Sequence, residues 1–142
     1  MDDAVLAPAA ADSLARWHAM VAAEDFSRLA EIVHPDAVFH SPVAHIPYHS
    51  RDAVVLAVST ALEVFSGFTY HRTFVAAGGH EVVLEFRARA GNRDVHGIDM
   101  ITFDDDGLIV TFEVMVRPAS GLQALAREMA ERVGTQLSGY AQ

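Results

Sequence analysis

The sequence predicts an α+β domain, a curved antiparallel sheet wrapped on N-terminal helices and enclosing a cavity. Three observations predict it. Apolar residues recur at helical spacing through the first half of the chain. After Gly67 the pattern changes to strict alternation, which runs to Pro118. Turn residues at Gly78-Gly79, Gly91-Asn92 and Asp104 to Gly107 divide that stretch into a meander. Helices and strands are segregated, as in α+β folds.

The elements follow in order. Asp12-Ser13 reads as the cap of a first helix, with Leu14, Trp17, Met20 and Val21 on one face. A short second helix after Asp25 carries Leu29, Ile32 and Val33, and His34-Pro35-Asp36 stops it. Ala37 to Ser41 reads as a short strand, and a loop with Pro42 and Pro47 follows. Ser50 caps a third helix over Arg51 to Phe65, ended by Gly67. Phe68 to Ala76 is a strand with Phe68, Tyr70 and Phe74 on one face and Thr69, His71 and Thr73 on the other. In the next strand Val82, Leu84, Phe86 and Ala88 face inward, opposite Glu81, Glu85, Arg87 and Arg89. Strands over Arg93 to Phe103 and Leu108 to Val116 complete the meander. A last helix capped by Ser120 carries Leu122, Leu125, Met129 and Val133.

Composition bounds the chemistry. The 142 residues suit one domain, and a chain of this length buries roughly 68% of its unfolded surface. All ten basic residues are arginine, and there is no cysteine. Thiolate nucleophiles, disulfides, cysteine-bound zinc, iron–sulfur clusters, lysine Schiff bases and the P-loop are therefore excluded. A net charge of −9 argues against nucleic acid and anionic lipid as partners. No apolar run is long enough to span a membrane. The acidic start Met1-Asp2-Asp3 is unlike a signal peptide, so a cytoplasmic protein is expected.

One residue breaks the pattern. Val95, Gly97, Ile101 and Phe103 share a strand face, and Asp99 sits in the middle of it. A buried carboxylate must find a partner or keep its proton. A carboxylic acid kept neutral donates a hydrogen bond inside an apolar pocket.

Asp99-x-x-x-Phe103, an acidic turn, Gly107 and an apolar strand resemble the NTF2-like superfamily, which includes ketosteroid isomerase and SnoaL-type polyketide cyclases. The runs His40 to Val43, Gly97 to Ile101 and Met115 to Pro118 are similar to a bacterial SnoaL-like subgroup. The likeness extends from Leu14 to Arg117. It implies the cone fold and a homodimer through the outer sheet face, which Glu113, Met115 and Arg117 suit. It also implies that Asp99 takes the place of the isomerase's hydrogen-bond-donating acid. The isomerase's base falls on Ser41, followed by Pro42-Val43, and its tyrosine falls on Trp17. Serine is no carboxylate base, and an indole N–H donates without transferring a proton. The resemblance therefore carries the fold and not ketosteroid isomerisation.

Histidines are the candidates to replace the base. His40 neighbours Ser41 and points to the opposite face. His45 follows in the proline-bent loop, where it can swing back over the pocket. The His45-x-x-x-His49 spacing suits a metal only on a helix, which Pro47 disfavours, so neither metal nor cofactor is expected. His96 lies on the face opposite Asp99. Asp99, His45 and His40 are thus the catalytic candidates. Trp17, Ser41, Phe103, Tyr48 and His71 are the binding candidates, with Trp17 equally readable as plain core. The expected function is acid–base isomerisation, cyclisation or hydration of a small apolar carbonyl compound. The alternative is a binding or dimeric interaction module that holds a ligand without chemistry.

Overall fold

The computed structural model describes residues 4–141; the acidic start Met1-Asp2-Asp3 lies outside them. The chain forms α1 (Pro8–Ala23), a 3-10 turn (Leu29–Ile32), β1 (Val33–His40), β2 (Tyr48–His49), α2 (Arg51–Val64), β3 (Phe65–Val75), β4 (Glu81–Ala90), β5 (Arg93–Phe103), β6 (Ile109–Arg117) and α3 (Ala119–Ser138). The strands make one curved, open sheet in the order β2-β1-β6-β5-β4-β3. Among the described residues, no helix is long and apolar enough to cross a membrane.

The expected meander is present as β3 to β6, each antiparallel to the next. The sheet is mixed, however, because β1 runs parallel to β6. That pairing joins segments distant in sequence, and no local pattern announces it. Its register shifts between Val33 and Val38, a stretch that contains Pro35, which has no N–H to give a ladder.

Helix boundaries depart from expectation at four places. α1 begins at Pro8, ahead of Asp12-Ser13, because a first-turn proline loses nothing by lacking its N–H. The second helix shrinks to one 3-10 turn, and β1 takes Val33 to Pro35. α3 starts directly after Pro118, without Ser120 as cap. The Ser50 cap is as expected, its Oγ accepting the Ala53 N–H at 3.3 Å. Gly67 ends no helix. At φ +60° it sits inside β3, where the register against β4 shifts between Ser66 and Thr69. A second shift between Tyr70 and Thr73 turns Phe74 outward, so it is 51% exposed and faces the Arg72 guanidinium.

Two apolar clusters fill the interior. One joins α1, α2 and the sheet through Trp17, Leu29, Val58, Leu84, Ile101 and Phe112. The other joins Phe86, Val95, Ala124 and Leu125. Ile101 and Phe103 of β5 belong to the first and Val95 to the second. Asp99 therefore falls on the seam, where Tyr70, Val114 and Met129 touch both clusters.

Candidate functional site

Asp99 is 5% exposed and lines an apolar cavity of about 50 Å³ at that seam. Phe39 from β1, Ser41 just after it, Val58 from α2, Phe112 from β6 and Met129 from α3 form other parts of its wall. The space holds a few water molecules and falls short of the roughly 300–1,000 Å³ of a drug-sized ligand pocket. Leu62, Phe65 and Phe68 line both this cavity and a wider open cleft rimmed by Glu24, Asp25 and Glu63.

The Asp99 carboxyl is asymmetric. Its Oδ2 accepts the Tyr70 hydroxyl at 2.5 Å, and the Tyr70 oxygen accepts the Trp17 indole N–H at 3.0 Å. Its Oδ1 has no hydrogen-bond partner among the described residues. Burial pushes the carboxyl up to about 7, against the opposing pull of the Tyr70 hydrogen bond. Burial first, and then the Asp99 charge, pushes the Tyr70 phenol well up, so it stays a donor. The His18 ring meets Tyr70 edge-on at 5.3 Å, and partial burial lowers its pKa.

The structure brings together only some of the expected residues. Asp99 and Ser41 line the cavity, and the Ser41 Oγ accepts the Val43 N–H at 3.1 Å. Trp17 is fully buried and reaches Asp99 only through Tyr70. Phe103 packs in the core and Tyr48 against it, and neither lines the cavity. His40 lies beside Glu113 in the β1–β6 register, turned away from the inward Phe39. His45 stays exposed in its loop and does not bend back over the pocket. His71 is exposed in β3, within the register shift between Tyr70 and Thr73, and does not line the cavity. Among the lining residues Asp99 is thus alone in titrating near neutrality.

Tyr70 is the residue that sequence reasoning missed. Its signal is that it shares the inward face of β3 with Phe68; its pairing with Asp99 joins strands that are not neighbours, which no local pattern shows. His96 makes a separate cluster on the outer face. Glu85 binds Arg72 through two contacts of 2.6 and 2.7 Å and His96 at 2.7 Å. Glu85 is 5% exposed because these two side chains lie over it. Arg72 first, and then His96, holds its carboxyl down to about 2.

The chain is similar to known proteins over most of its length. The SnoaL-like domain model matches residues 14–112. A crystal structure of a steroid delta-isomerase from Pseudomonas aeruginosa is 53% identical, with a TM-score of 0.91 over 96% of this chain and 99% of that one. An uncharacterized bacterial protein with a cystatin-like fold from Silicibacter pomeroyi is 31% identical, at TM-score 0.82 over 92% and 94% of the two chains. An NTF2-like protein of unknown function from Mesorhizobium loti shares the fold at 22% identity and TM-score 0.68, over 80% and 99%. No curated protein matches. With a family match over most of its length and two full-length relatives above 30% identity, the chain belongs to the SnoaL-like domain family and has the NTF2-like α+β fold.

Proposed function

We propose that the protein acts on a small apolar molecule bearing a carbonyl or similar oxygen, with Asp99 as the group that gives and takes the proton. The observation that carries this reading is the free Oδ1 of a buried carboxyl that titrates near 7 inside an apolar cavity. A general acid–base is most effective with its pKa near the working pH. As the acid, Asp99 donates to the ligand oxygen. As the carboxylate, it takes a proton from the carbon beside a carbonyl, leaving an enolate, and returns the proton to that carbon or to a conjugated one. Ser41 supplies a second hydroxyl at the cavity wall. Isomerisation, cyclisation and hydration all use such a step. The 53% identity to a steroid delta-isomerase supports proton-transfer chemistry. The narrow cavity and Ser41 at the base position speak against a steroid substrate.

A second reading, ligand binding without chemistry, is favoured by the lone titrating group: Asp99 has no second acid or base across the cavity. Acetophenone separates the two readings. Its saturable binding and its methyl hydrogen–deuterium exchange in D2O are measured by NMR for the wild type and for Asp99→Leu. Exchange accelerated by the wild type and not by the variant supports the enzyme. Binding without acceleration supports the binding module. No saturable binding overturns both.

The outer sheet face supports a second copy of the chain as partner. Its rows are, in register, Glu81–Thr102–Thr111, Val83–Met100–Glu113, Glu85–Ile98–Met115 and Arg87–His96–Arg117. One end carries Glu81 and the other is basic, while the middle rows hold Val83, Met100, Ile98 and Met115 flanked by Glu85 and Glu113, with Met115 48% exposed. A two-fold axis through the middle rows sets the basic end of one copy on the acidic end of the other.

A further inference from the structure

We infer that Trp17 and Tyr70 form a one-way hydrogen-bond chain that determines which oxygen of Asp99 carries its proton. The argument needs only donor and acceptor capacity. An indole N–H donates and never accepts. The Tyr70 oxygen is therefore the acceptor in its 3.0 Å contact with Trp17 Nε1. The single hydroxyl hydrogen of Tyr70 then points to the other partner, Asp99 Oδ2. An oxygen accepting that hydrogen at 2.5 Å has no room for its own proton on the same line. When Asp99 is neutral, its hydrogen sits on Oδ1, the oxygen left without a partner among the described residues, in a side chain that lines the cavity.

The chain has a consequence for ligands, which rests on the function proposed above. The neutral site presents one O–H donor in an apolar wall. The ligand atom that meets it must be an acceptor, such as a carbonyl or ether oxygen. A ligand offering only an N–H or O–H donor finds no acceptor at Oδ1 until Asp99 ionises. Trp17 and Tyr70 are positioning residues: they act through Asp99 and do not line the cavity. His18, edge-on to the Tyr70 ring, is the titratable neighbour on α1. The cavity-lining residues of α2, α3, β1 and β6 bring Asp99 no charged group.

The chain itself is tested without ligand. The Asp99 carboxyl is titrated by NMR in the full chain carrying carbon-13 aspartate. A midpoint near 7 is expected for the wild type. Tyr70→Phe removes the donor that favours the carboxylate, so the midpoint rises by about one to two pH units. Trp17→Phe raises it less, because Tyr70 remains. Should that variant fail to fold, the wild-type Trp17 indole N–H decides instead: its proton resonance moves upfield in Tyr70→Phe, where its acceptor is gone. An unchanged midpoint and an unchanged indole resonance in Tyr70→Phe overturn the chain.

The direction is tested with Asp99→Asn and acetophenone carrying a carbon-13 carbonyl. If Tyr70 requires an acceptor at Oδ2, the amide carbonyl takes that place and its NH2 faces the cavity. The bound carbonyl stretch then stays lowered in Asp99→Asn and no longer depends on pH. In Asp99→Asn combined with Tyr70→Phe the amide is free to turn, and the lowered band splits. Acetophenone bound to Asp99→Asn with an unlowered stretch overturns the assigned direction. If acetophenone binds no form of the protein, the proposed ligand class fails, and the ligand-free titration still decides the chain.

Discussion

Tyr70 of β3 reaches past β4 to donate its hydroxyl to Asp99 of β5 at 2.5 Å. Leu84, the β4 residue in register with Asp99, is fully buried among apolar side chains. Among the described residues, the aspartate thus draws its polar side-chain partner from a strand that is not its neighbour.

Stability should fall as pH rises from about 4 to about 7. The Asp99 carboxyl moves from its ordinary 3.8 to about 7 on folding. Between those values the folded chain holds a proton that the unfolded chain has released, so the slope of stability against pH is negative. The full effect is about 4 kcal/mol from pH 4 to pH 7. Urea unfolding at pH 5, 6, 7 and 8 should show it, and Asp99→Asn should flatten it and be the more stable form at pH 8. A wild-type curve as flat as that of the variant would refute the shift.

At the acid end the sign reverses. Arg72 and His96 hold Glu85 down to about 2. The stability this supplies is complete above pH 4.5 and is lost as pH falls toward 2. Glu85→Gln should remove that part of the acid limb, read as a smaller loss of unfolding midpoint between pH 5 and pH 3.

Gly97→Ala should destabilise the fold by about 1–3 kcal/mol. An added Cβ would lie 2.5 Å from the Phe86 ring and 2.6 Å from the Met115 carbonyl oxygen. The backbone oxygen gives way less readily than the ring. Denaturant titration checks this, and a neutral substitution would mean that β5 and β6 slide more freely than their register suggests.

Phe68→Ala should enlarge the cavity, since Phe68 lines both the Asp99 space and the outer cleft. The cost is about 3 kcal/mol, because the ring also stacks on Phe86 at 4.9 Å. In thermal-shift titrations the variant should gain more from 2-acetonaphthone than from acetophenone, the reverse of the wild-type order. A delta-5 3-ketosteroid should isomerise no faster with wild-type protein than in buffer; turnover would return Ser41 and the loop histidines to the catalytic question.

Met115→Asp should yield a monomer in sedimentation velocity without lowering the unfolding temperature of the isolated chain. It places a charge beside Ile98 in the middle rows, and Met115 is not itself a lining residue of the Asp99 cavity. A dimer that survives would assign the outer face another role.

The inward set of β4 and β5 was legible because period-two alternation is a local property. Asp99 stood out by the same rule: a carboxylate among Val95, Gly97, Ile101 and Phe103 needs an explanation wherever the strand lies. Gly107 was legible as a turn, and its φ of +81° bears this out. The histidines misled, because residue type suggested a base while only placement decides reach. His40 turned outward with the pleat, and His45 stayed in solvent with its loop.

By itself the sequence determined the segregation of helices and strands, the inward faces of β4 and β5 and the anomaly at Asp99. Each follows from neighbours a few residues apart. Only the tertiary structure decided the parallel seat of β1 beside β6, the two register shifts of β3 and the meeting of Trp17, Tyr70 and Asp99. Those depend on where strands distant in sequence come to rest. A one-residue slip of β3 would turn Tyr70 to solvent and leave the aspartate without its partner.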